Sequence, residues 1–355
     1  MTATAWPAGD VLDFAVPPGL DAGAPPEAEG RARDDVRLLV AEHGRVHHRR
    51  LRDLTWLLAP GDLLVVNTSA TLPAALPATR ADGAVLRLHL SGPLPGGGGS
   101  LVELRRPAGP GSEPFGGGHA GERLALPAGG RVDLRSPFRT AEGSRTRLWQ
   151  ASLDLPEPLG DYLARHGHPI RYRTHGPIWP LGAYQTVFAV TPGSAESPSA
   201  GRAFSTGLVT GLVAAGVGVA PVLLHTGVSS LEAGEPPYPE RYAVPAATAE
   251  RVTAARRANH RVVAVGTTAA RALETVTGED RVTVAGEGWT DVAITPERGI
   301  RGFDALLTGW HEPRSSHLRL LEAVAGRALL RASYAAALDA GYRWHEFGDL
   351  HLVLR

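Results

Sequence analysis

The chain has 355 residues, of which 43% are hydrophobic and 20% charged, and its 36 basic residues balance its 36 acidic ones. This length and composition predict a globular protein of two domains, or of one large domain that carries an insertion. Cysteine and lysine are both absent. Their absence excludes disulfides, thiolate metal sites, cysteine nucleophiles and lysine catalysts.

Two features of the sequence argue against a membrane protein. Residues 1–7 contain no basic stretch followed by an apolar run, so we expect no signal peptide. The longest apolar stretch, 208–224, is interrupted by three glycines and Pro221 and is too broken to span a bilayer. We therefore expect a cytoplasmic protein without a membrane partner.

In chain order, the first clear element is a buried strand at 62–67, which follows the turn signal Pro60-Gly61. From about residue 84 to 155, short runs of alternating apolar and polar residues are separated by turns rich in glycine and proline. Alternation with a period of two, at this spacing, favours a small antiparallel sheet or barrel.

From residue 182 onward the pattern changes to strands that alternate with helices. We predict buried strands at 187–190, 217–224, 261–265 and 348–354, and helices at 246–260, 267–275, 315–325 and 329–340. The sequence thus predicts a layered α/β sandwich with an inserted antiparallel β-barrel. The expected boundaries are 1–76 and 156–355 for the α/β domain and 77–155 for the barrel.

The most informative local feature is a strand at 261–265 that turns through Gly266 directly into a helix. Thr267 or Thr268 is predicted to cap this helix, whose free amide groups and dipole favour an anion. Arg271 lies one turn further, on about the same face. The geometry suits the carboxylate of a ligand, and an ordinary capped helix with a surface arginine is the alternative.

A second candidate cluster follows the predicted strand that begins near Asp304. Its turn carries Thr308, Trp310 and His311, and Ser315 or Ser316 is predicted to cap the next helix. Open α/β sheets bind ligands at the carboxyl ends of their strands. The indole could stack on adenine and the imidazole could transfer a proton near neutral pH, although a structural histidine is the alternative.

Two further segments place polar groups beside small residues. Tyr184 and Gln185 lead into a loop with Ser199 and Gly201, where a ligand could approach the backbone closely, or which could be an ordinary surface loop. His225 ends the predicted strand 217–224 and is either a general base or a structural residue.

Other motifs exclude several classes of enzyme. Gly216-Val-Gly218 lacks the third glycine and the acidic residue of a dinucleotide fingerprint, and without lysine no phosphate-binding P-loop exists. His47-His48, flanked by arginines, has no metal-ligand spacing and is interpreted as a solvated face. We therefore predict no metal cofactor.

Several segments, taken in order, carry a resemblance to one family. They are GDLLVVN at 61–67 with LPA at 72–74, YQTV at 184–187, PSAG at 198–201, LHTG at 224–227, AVGTT at 264–268 with Arg271 and Glu274, DALLT at 304–308 with His311, Pro313 and Ser315, and YR at 342–343 with GD at 348–349. Together they resemble the S-adenosylmethionine:tRNA ribosyltransferase-isomerases of queuosine synthesis.

The resemblance implies an α/β sandwich with an inserted barrel and S-adenosylmethionine as co-substrate. The implied reaction moves the ribosyl part of S-adenosylmethionine to a 7-aminomethyl-7-deazaguanine base in tRNA, isomerises it to an epoxycyclopentane, and releases adenine and methionine. We expect His225 or His311 to carry the acid–base work, with Asp304 as orienter. The residues expected to bind the co-substrate are Gly266, Thr267, Thr268 and Arg271 at its methionine carboxylate and Tyr184, Gln185, Ser199, Gly201, Thr308 and Trp310 around it.

The chain also departs from the family motifs. Ala70 and Ala75 replace basic residues, Ala203 replaces a histidine, Gly309 replaces an asparagine, and 228–231 lacks a family glycine motif. These departures suggest a retained fold and co-substrate with an altered acceptor. The alternatives are therefore an enzyme that uses S-adenosylmethionine on a small molecule or cleaves it, without tRNA, and a non-enzymatic binding protein. The sequence predicts no particular oligomeric state.

Overall fold

The computed structural model describes residues 12–138, 146–172, 176–228 and 238–355. The predictions made for 1–7 and for 229–231 lie outside these residues. Within them, no helix is both long and apolar enough to cross a membrane.

The described residues contain the following helices and strands, numbered along the chain. The helices are α1 Leu54–Leu57, α2 Leu159–His166, α3 Thr206–Ala214, α4 Ala246–Arg257, α5 Gly266–Thr275, α6 Ser316–Ala325 and α7 Arg327–Asp339. The strands are β1 Arg37–Glu42, β2 Arg45–Arg50, β3 Leu63–Asn67, β4 Ser69–Thr71, β5 Ala75–Thr79, β6 Val85–Pro93, β7 Ser100–Ala108, β8 Gly111–Pro114, β9 Arg123–Ala125, β10 Arg131–Pro137, β11 Leu148–Asp154, β12 Thr191–Ser194, β13 Gly218–Leu224, β14 Glu240–Val244, β15 Val262–Val265, β16 Gly286–Thr290, β17 Ala305–Gly309 and β18 Leu350–Leu354.

A nine-stranded mixed sheet has the order β16-β14-β13-β3-β15-β17-β18-β1-β2. Its central strands β13, β3, β15 and β17 are parallel neighbours. The strands β3 and β15 are continuous apolar runs with every residue buried, as expected where helices cover both faces. Val65 and Ala264 pack on one face in a cluster with residues of α4 to α7, and Leu64 and Val263 pack on the other with residues of α1 and α3.

A second, seven-stranded antiparallel sheet has the order β11-β10-β9-β5-β6-β7-β8. Pairing of β11 with β7 closes six of these strands into a barrel. The strands of the barrel extend from Ala75 to Asp154, where 77–155 was predicted. The α/β fold class with a small antiparallel barrel is confirmed.

The predicted buried strand at 187–190 is wrong. Ala189 instead donates its amide hydrogen to the Thr186 carbonyl in a turn, at 3.3 Å. The side chain of Val190 is 75% exposed. Aliphatic residues alone do not make a strand where no neighbouring strand is available, and the sequence around 187–190 does not reveal that.

Candidate functional site at the ends of the parallel strands

A cavity of about 310 Å³ opens at the carboxyl ends of the central strands, a volume typical of small-molecule sites. Three of its walls come from residues that follow parallel strands, as ligand sites in open α/β sheets do. Those residues are Thr226 after β13, Gly266–Thr268 after β15, and Thr308–His311 at the end of β17.

Gly266 forms the junction between β15 and α5. Its φ of 87° lies in the left-handed region, and a Cβ there would come within 3.3 Å of the Ala200 Cβ, so only glycine fits without strain. The helix α5 begins at Gly266 itself, and no side chain caps it. The predicted caps at Thr267 and Thr268 are therefore wrong, because both threonines already lie inside the first turn.

Both threonines nevertheless line the cavity together with Gly266. The first amide groups of a helix have no intrahelical acceptor, and the helix dipole adds partial positive charge there. The Oγ1 atom of Thr268 is buried and has no hydrogen-bond partner among the described residues. This corner of the cavity can therefore hold an anion, as was predicted for a ligand carboxylate.

Arg271 lies behind this corner. Its guanidinium forms an ion pair with the Glu240 carboxylate, and its Nε donates to the Val292 carbonyl at 3.0 Å. It lines a smaller cavity of about 90 Å³, which shares Thr267 and Thr268 with the main one. The structure thus places Arg271 one layer away from the position expected for it.

His311 lies on the main cavity and is held by its neighbours. Its Nε2 is 2.9 Å from the Thr308 hydroxyl, and its ring stacks on His317 with centroids 4.4 Å apart. Burial, and then the neighbouring His317, holds the pKa of His311 well below its usual value. Burial lowers the pKa of His317 to about 4. Both imidazoles are therefore neutral at pH 7, and His311 can accept a proton.

Trp310 lies beside His311 but does not offer an open face. Its ring stacks on His351 and on Trp344, with centroids 4.8 and 5.3 Å away. Only 3% of the residue is exposed. The expectation that its indole stacks on adenine is therefore wrong, because the protein itself covers the ring, and Trp310 instead supports the cavity floor.

The loop residues predicted from sequence divide into two pairs. Tyr184 and Ser199 line the cavity, and the Tyr184 ring packs on Phe347 with centroids 5.2 Å apart. Gln185 and Gly201 are absent from its lining. The Gln185 amide spans the Thr71 backbone, accepting from its nitrogen at 3.0 Å and donating to its oxygen at 2.8 Å. Gln185 therefore fixes the loop and does not face a ligand.

A tyrosine–glutamate pair on the cavity wall has no counterpart among the predicted residues. The Tyr172 hydroxyl donates a hydrogen bond to the Glu196 carboxylate, and both residues line the cavity. Burial, and then the charge of Glu196, raises the pKa of Tyr172 well above its usual value. The phenol therefore remains protonated and the carboxylate accepts. These residues lie 24 positions apart, so no local motif could have indicated the pair.

His225 is connected to a chain of buried hydroxyls. Its Nδ1 is 2.8 Å from the Ser69 hydroxyl, which in turn is 2.6 Å from the Ser194 hydroxyl. Burial, followed by the charge of Arg241, lowers the pKa of His225. The adjacent Thr226 lines the cavity, whereas His225 lies just behind the wall.

Asp304 does not orient either histidine. It lies immediately before β17, where it pairs with Arg256 at 3.2 Å and Arg281 at 2.9 Å. Four residues of extended strand separate Asp304 from Thr308 on the cavity, about 13 Å. The prediction for Asp304 is therefore wrong, because Asp304 lies at the amino end of β17 and the cavity lies at its carboxyl end. Thr308 holds the contact to His311 instead.

No group of histidine and carboxylate side chains within the described ranges is arranged to hold a metal ion.

Comparison with known proteins identifies the family. The sequence model of the family described as queuosine biosynthesis protein matches residues 10–353. The S-adenosylmethionine:tRNA ribosyltransferase-isomerase of Moorella thermoacetica is 39% identical, with 97% of this chain and 98% of the relative covered. That of Anaeromyxobacter dehalogenans is 36% identical, with 97% and 98% covered.

This chain belongs to the queuosine biosynthesis family. A crystal structure of S-adenosylmethionine tRNA ribosyltransferase from Thermotoga maritima has the same fold, with a TM-score of 0.52, 28% identity, and 97% of this chain and 99% of that chain covered. The predicted family is confirmed, and with it membership of a class of transferase-isomerase enzymes.

Most departures from the family motifs lie away from the cavity. Ala75 is buried in the barrel core and Ala203 in the core beneath α3. Ala70 is in β4 and is not part of the cavity lining. Of these positions, only Gly309 lines the cavity. The described departures therefore do not form a group around the cavity.

Proposed function

We propose that this protein is an S-adenosylmethionine:tRNA ribosyltransferase-isomerase of queuosine synthesis. The observation that carries the proposal is the cavity at the strand ends, which combines a helix amino terminus with a neutral histidine. Similarity to enzymes of that name over 97% of the chain supports the same activity. A cytoplasmic location remains our prediction.

The proposed acceptor is a 7-aminomethyl-7-deazaguanine base in tRNA. In the proposed reaction a base removes a C5′ proton, which the positive sulfur acidifies, and adenine leaves the ribosyl ring. The aminomethyl nitrogen then bonds to the ribosyl carbon skeleton, which isomerises to an epoxycyclopentane. Methionine departs with the electron pair of its carbon–sulfur bond.

The amino terminus of α5 is the proposed position of the methionine carboxylate. Free amides of the first turn and the unpaired Thr268 hydroxyl provide donors there. Arg271 remains a proposed contributor, from behind the corner and without direct contact to the ligand. Its ion pair with Glu240 makes it a support for the corner more than a direct ligand.

His311 is the proposed proton acceptor. Its imidazole is neutral at pH 7, lines the cavity and is oriented by Thr308. A lowered pKa makes His311 a weaker base, but the sulfonium makes the neighbouring C5′ hydrogens more acidic, and this favours the proton transfer. His225 is the rival candidate, because it is neutral as well and adjoins the cavity through Thr226.

Glu196 is proposed to face the cationic groups of the reactants. The donor substrate has a positive sulfur, and an aminomethyl group is protonated near neutral pH. A carboxylate held by Tyr172 on the cavity wall stabilises such charges. It could also receive the proton that the amine loses before it attacks.

A small-molecule acceptor without tRNA was the alternative. Its motivation was the loss of polar groups expected at the site, and only Gly309 among them lies on the cavity. No feature of the cavity favours this alternative, and we retain tRNA as the proposed partner.

The decisive assay supplies S-adenosylmethionine and one of three acceptors: tRNA that carries the aminomethyl base, the same tRNA with guanine, and the free base. We expect release of adenine and methionine, with a new nucleoside in digested RNA, only with the first. Turnover with the free base, or adenine release without any acceptor, would instead support the small-molecule alternative.

A further inference from the structure

The edge strand β2 of the nine-stranded sheet carries a row of cationic side chains. Arg45, His47 and Arg49 alternate along it and therefore emerge from one face. Arg45 and Arg49 are exposed, and neither makes an ion pair within the described part of the chain. The carboxylate opposite Arg45 in the ladder, Glu42, is instead 3.7 Å from Arg261. The row thus has charge that the protein does not neutralise.

An exposed tryptophan lies on the same side of the sheet. Trp56 of α1 is 87% exposed, which is unusual for so large an aromatic residue. It follows Arg52 by four residues, so both side chains lie on one face of the helical segment. The helix α1 packs through Leu54 on the side of the sheet occupied by Leu38, the ladder partner of Arg49. Leu54 faces the core, so Arg52 and Trp56 lie on the outer face of this segment, where Arg52 is already paired with Asp34 at 2.7 Å. The helix thus adds an exposed indole on the side of the sheet from which the row of β2 emerges.

The Arg49 end of β2 lies at the same strand ends as the cavity, and Arg45 lies four residues further along the strand. Gly309 lines the cavity and pairs with Leu350 of β18. Leu350 pairs with Leu38 of β1, and Leu38 pairs with Arg49 of β2. Three strand spacings separate Arg49 from Gly309, about 14 Å. A nucleic acid strand whose base enters the cavity would extend over this distance within a few nucleotides.

The chemistry of the surface favours one kind of occupant. Pairing of β2 with a second copy of itself would place arginines and histidines against one another, and like charges across a ladder are destabilising. Unpaired guanidinium groups suit phosphates, and an exposed indole suits an unstacked base. RNA offers both within one strand.

We propose that Arg45, His47, Arg49 and Trp56 form a docking surface for the RNA backbone and one unstacked base beside the site of modification. This surface would hold the substrate tRNA while the target base occupies the cavity. The inference rests on the proposed function, because it assumes that the acceptor is part of an RNA.

The test measures binding of a fluorescein-labelled tRNA transcript to the full chain by anisotropy, over a series of salt concentrations. The variants are the double substitution R45A/R49A, the single substitution W56A, and the control R281A. Arg281 is also an exposed arginine, but its charge is already paired with Asp304. Polyglutamate serves as a competitor that carries negative charge without bases.

For R45A/R49A we expect weaker binding and a salt slope whose magnitude is smaller by about 1.4–1.8. For W56A we expect binding weaker by at least about fivefold with an unchanged slope. R281A should bind like the unmodified chain. Unchanged binding and slope in R45A/R49A, with tRNA binding retained, would overturn the surface but leave the proposed function intact.

Other outcomes separate the two proposals. Polyglutamate that displaces tRNA at equal charge concentration would point to an acidic protein partner and contradict RNA docking. Absence of any tRNA binding by the unmodified chain at low salt would overturn the RNA half of the proposed function as well.

Discussion

The nine-stranded sheet and the barrel are built around interiors of different chemistry. Around the central strands the core is apolar, whereas the barrel buries Glu103 between Arg105 and Arg147, at 2.8 and 2.9 Å. His89 is 3.5 Å from the same carboxylate and is fully buried. In the apolar interior the main cost of a substitution is loss of volume, while the barrel depends on a balance of buried charges.

The two interiors contribute different walls to the cavity. The sheet supplies backbone amides and His311 at its strand ends. On the other side, the Arg105 guanidinium lies 4.5 Å from the ring centroid of Tyr172, which in turn bonds to Glu196. We therefore expect changes on the sheet side to affect chemistry and donor binding, and changes on the barrel side to affect stability and the acceptor.

The largest expected effect is on the sheet side. His311→Gln should lower kcat by about 10²–10⁴-fold, because general-base catalysis contributes that much. Adenine release under saturating substrates measures it.

In the unmodified enzyme, activity should fall only at pH values below the ordinary pKa of histidine, since His311 must be neutral and its pKa is lowered.

His225→Gln is the matched control for this prediction. A loss of kcat as large as that expected for His311, combined with a nearly normal His311→Gln enzyme, would assign the proton transfer to His225.

In the barrel, Glu103→Gln should lower the free energy of unfolding by about 3–5 kcal/mol, because it removes a buried carboxylate that pairs with two buried guanidiniums. Denaturant unfolding measures the change. Glu279→Gln, at a carboxylate that is 87% exposed, should change it little. If both substitutions have equal effects, the buried charges do not stabilise the barrel.

The same carboxylate predicts a pH dependence of stability. Burial alone would raise the pKa of Glu103, but the contact with His89 and the charges of Arg105 and Arg147 outweigh it, and the pKa is lowered. This contribution to stability is therefore complete above about pH 4.5 and is lost as the pH falls through the folded-state pKa below that value. Glu103→Gln should flatten this acid limb of the unfolding curve.

At the amino terminus of α5, Thr268→Val should weaken binding of S-adenosylmethionine by about tenfold or more, the typical effect of removing one hydrogen bond to a charged group. Calorimetric titration measures it. Thr275→Val, near the other end of the same helix, removes a hydroxyl bonded to Arg271 and Thr290. An equal loss of affinity in that control would show that the effect is transmitted by the helix and does not arise from contact.

The smallest expected effect comes from Tyr172→Phe, which removes one hydroxyl and keeps the ring under Arg105. We expect kcat/KM for the tRNA acceptor to fall by about fivefold, with unchanged affinity for S-adenosylmethionine. The acid limb of its pH profile should move upward, because the Glu196 carboxylate loses a donor. Tyr162→Phe, whose hydroxyl bonds to Pro127 at 2.6 Å, is the control and should leave the profile unchanged.

The sequence predicts this architecture well wherever a local pattern determines it. The strand β15, the turn at Gly266 and the helix α5 follow from a run of apolar residues, one glycine and a helical period. Alternation of polar and apolar residues likewise locates the barrel strands. At 187–190, by contrast, the apolar run has no neighbouring strand, and the local sequence does not indicate this.

The composition of the site was less predictable because it depends on contacts between distant segments. Arg271 was expected at the ligand, but Glu240, 31 residues away, neutralises it. Asp304 was expected to orient a histidine, but it pairs with Arg256 and Arg281 at the amino end of β17. Tyr172 meets Glu196 only because the segment after α2 packs against the loop after β12.

The left-handed turn at Gly266 has one more consequence. It presents main-chain amides to the cavity, and main-chain groups are the same whatever side chains a genome favours. This chain contains no lysine at all. An anion site made from peptide groups is therefore unaffected when codon use disfavours lysine. The one residue that cannot be replaced in this site is a glycine, and the codons for glycine are rich in G and C.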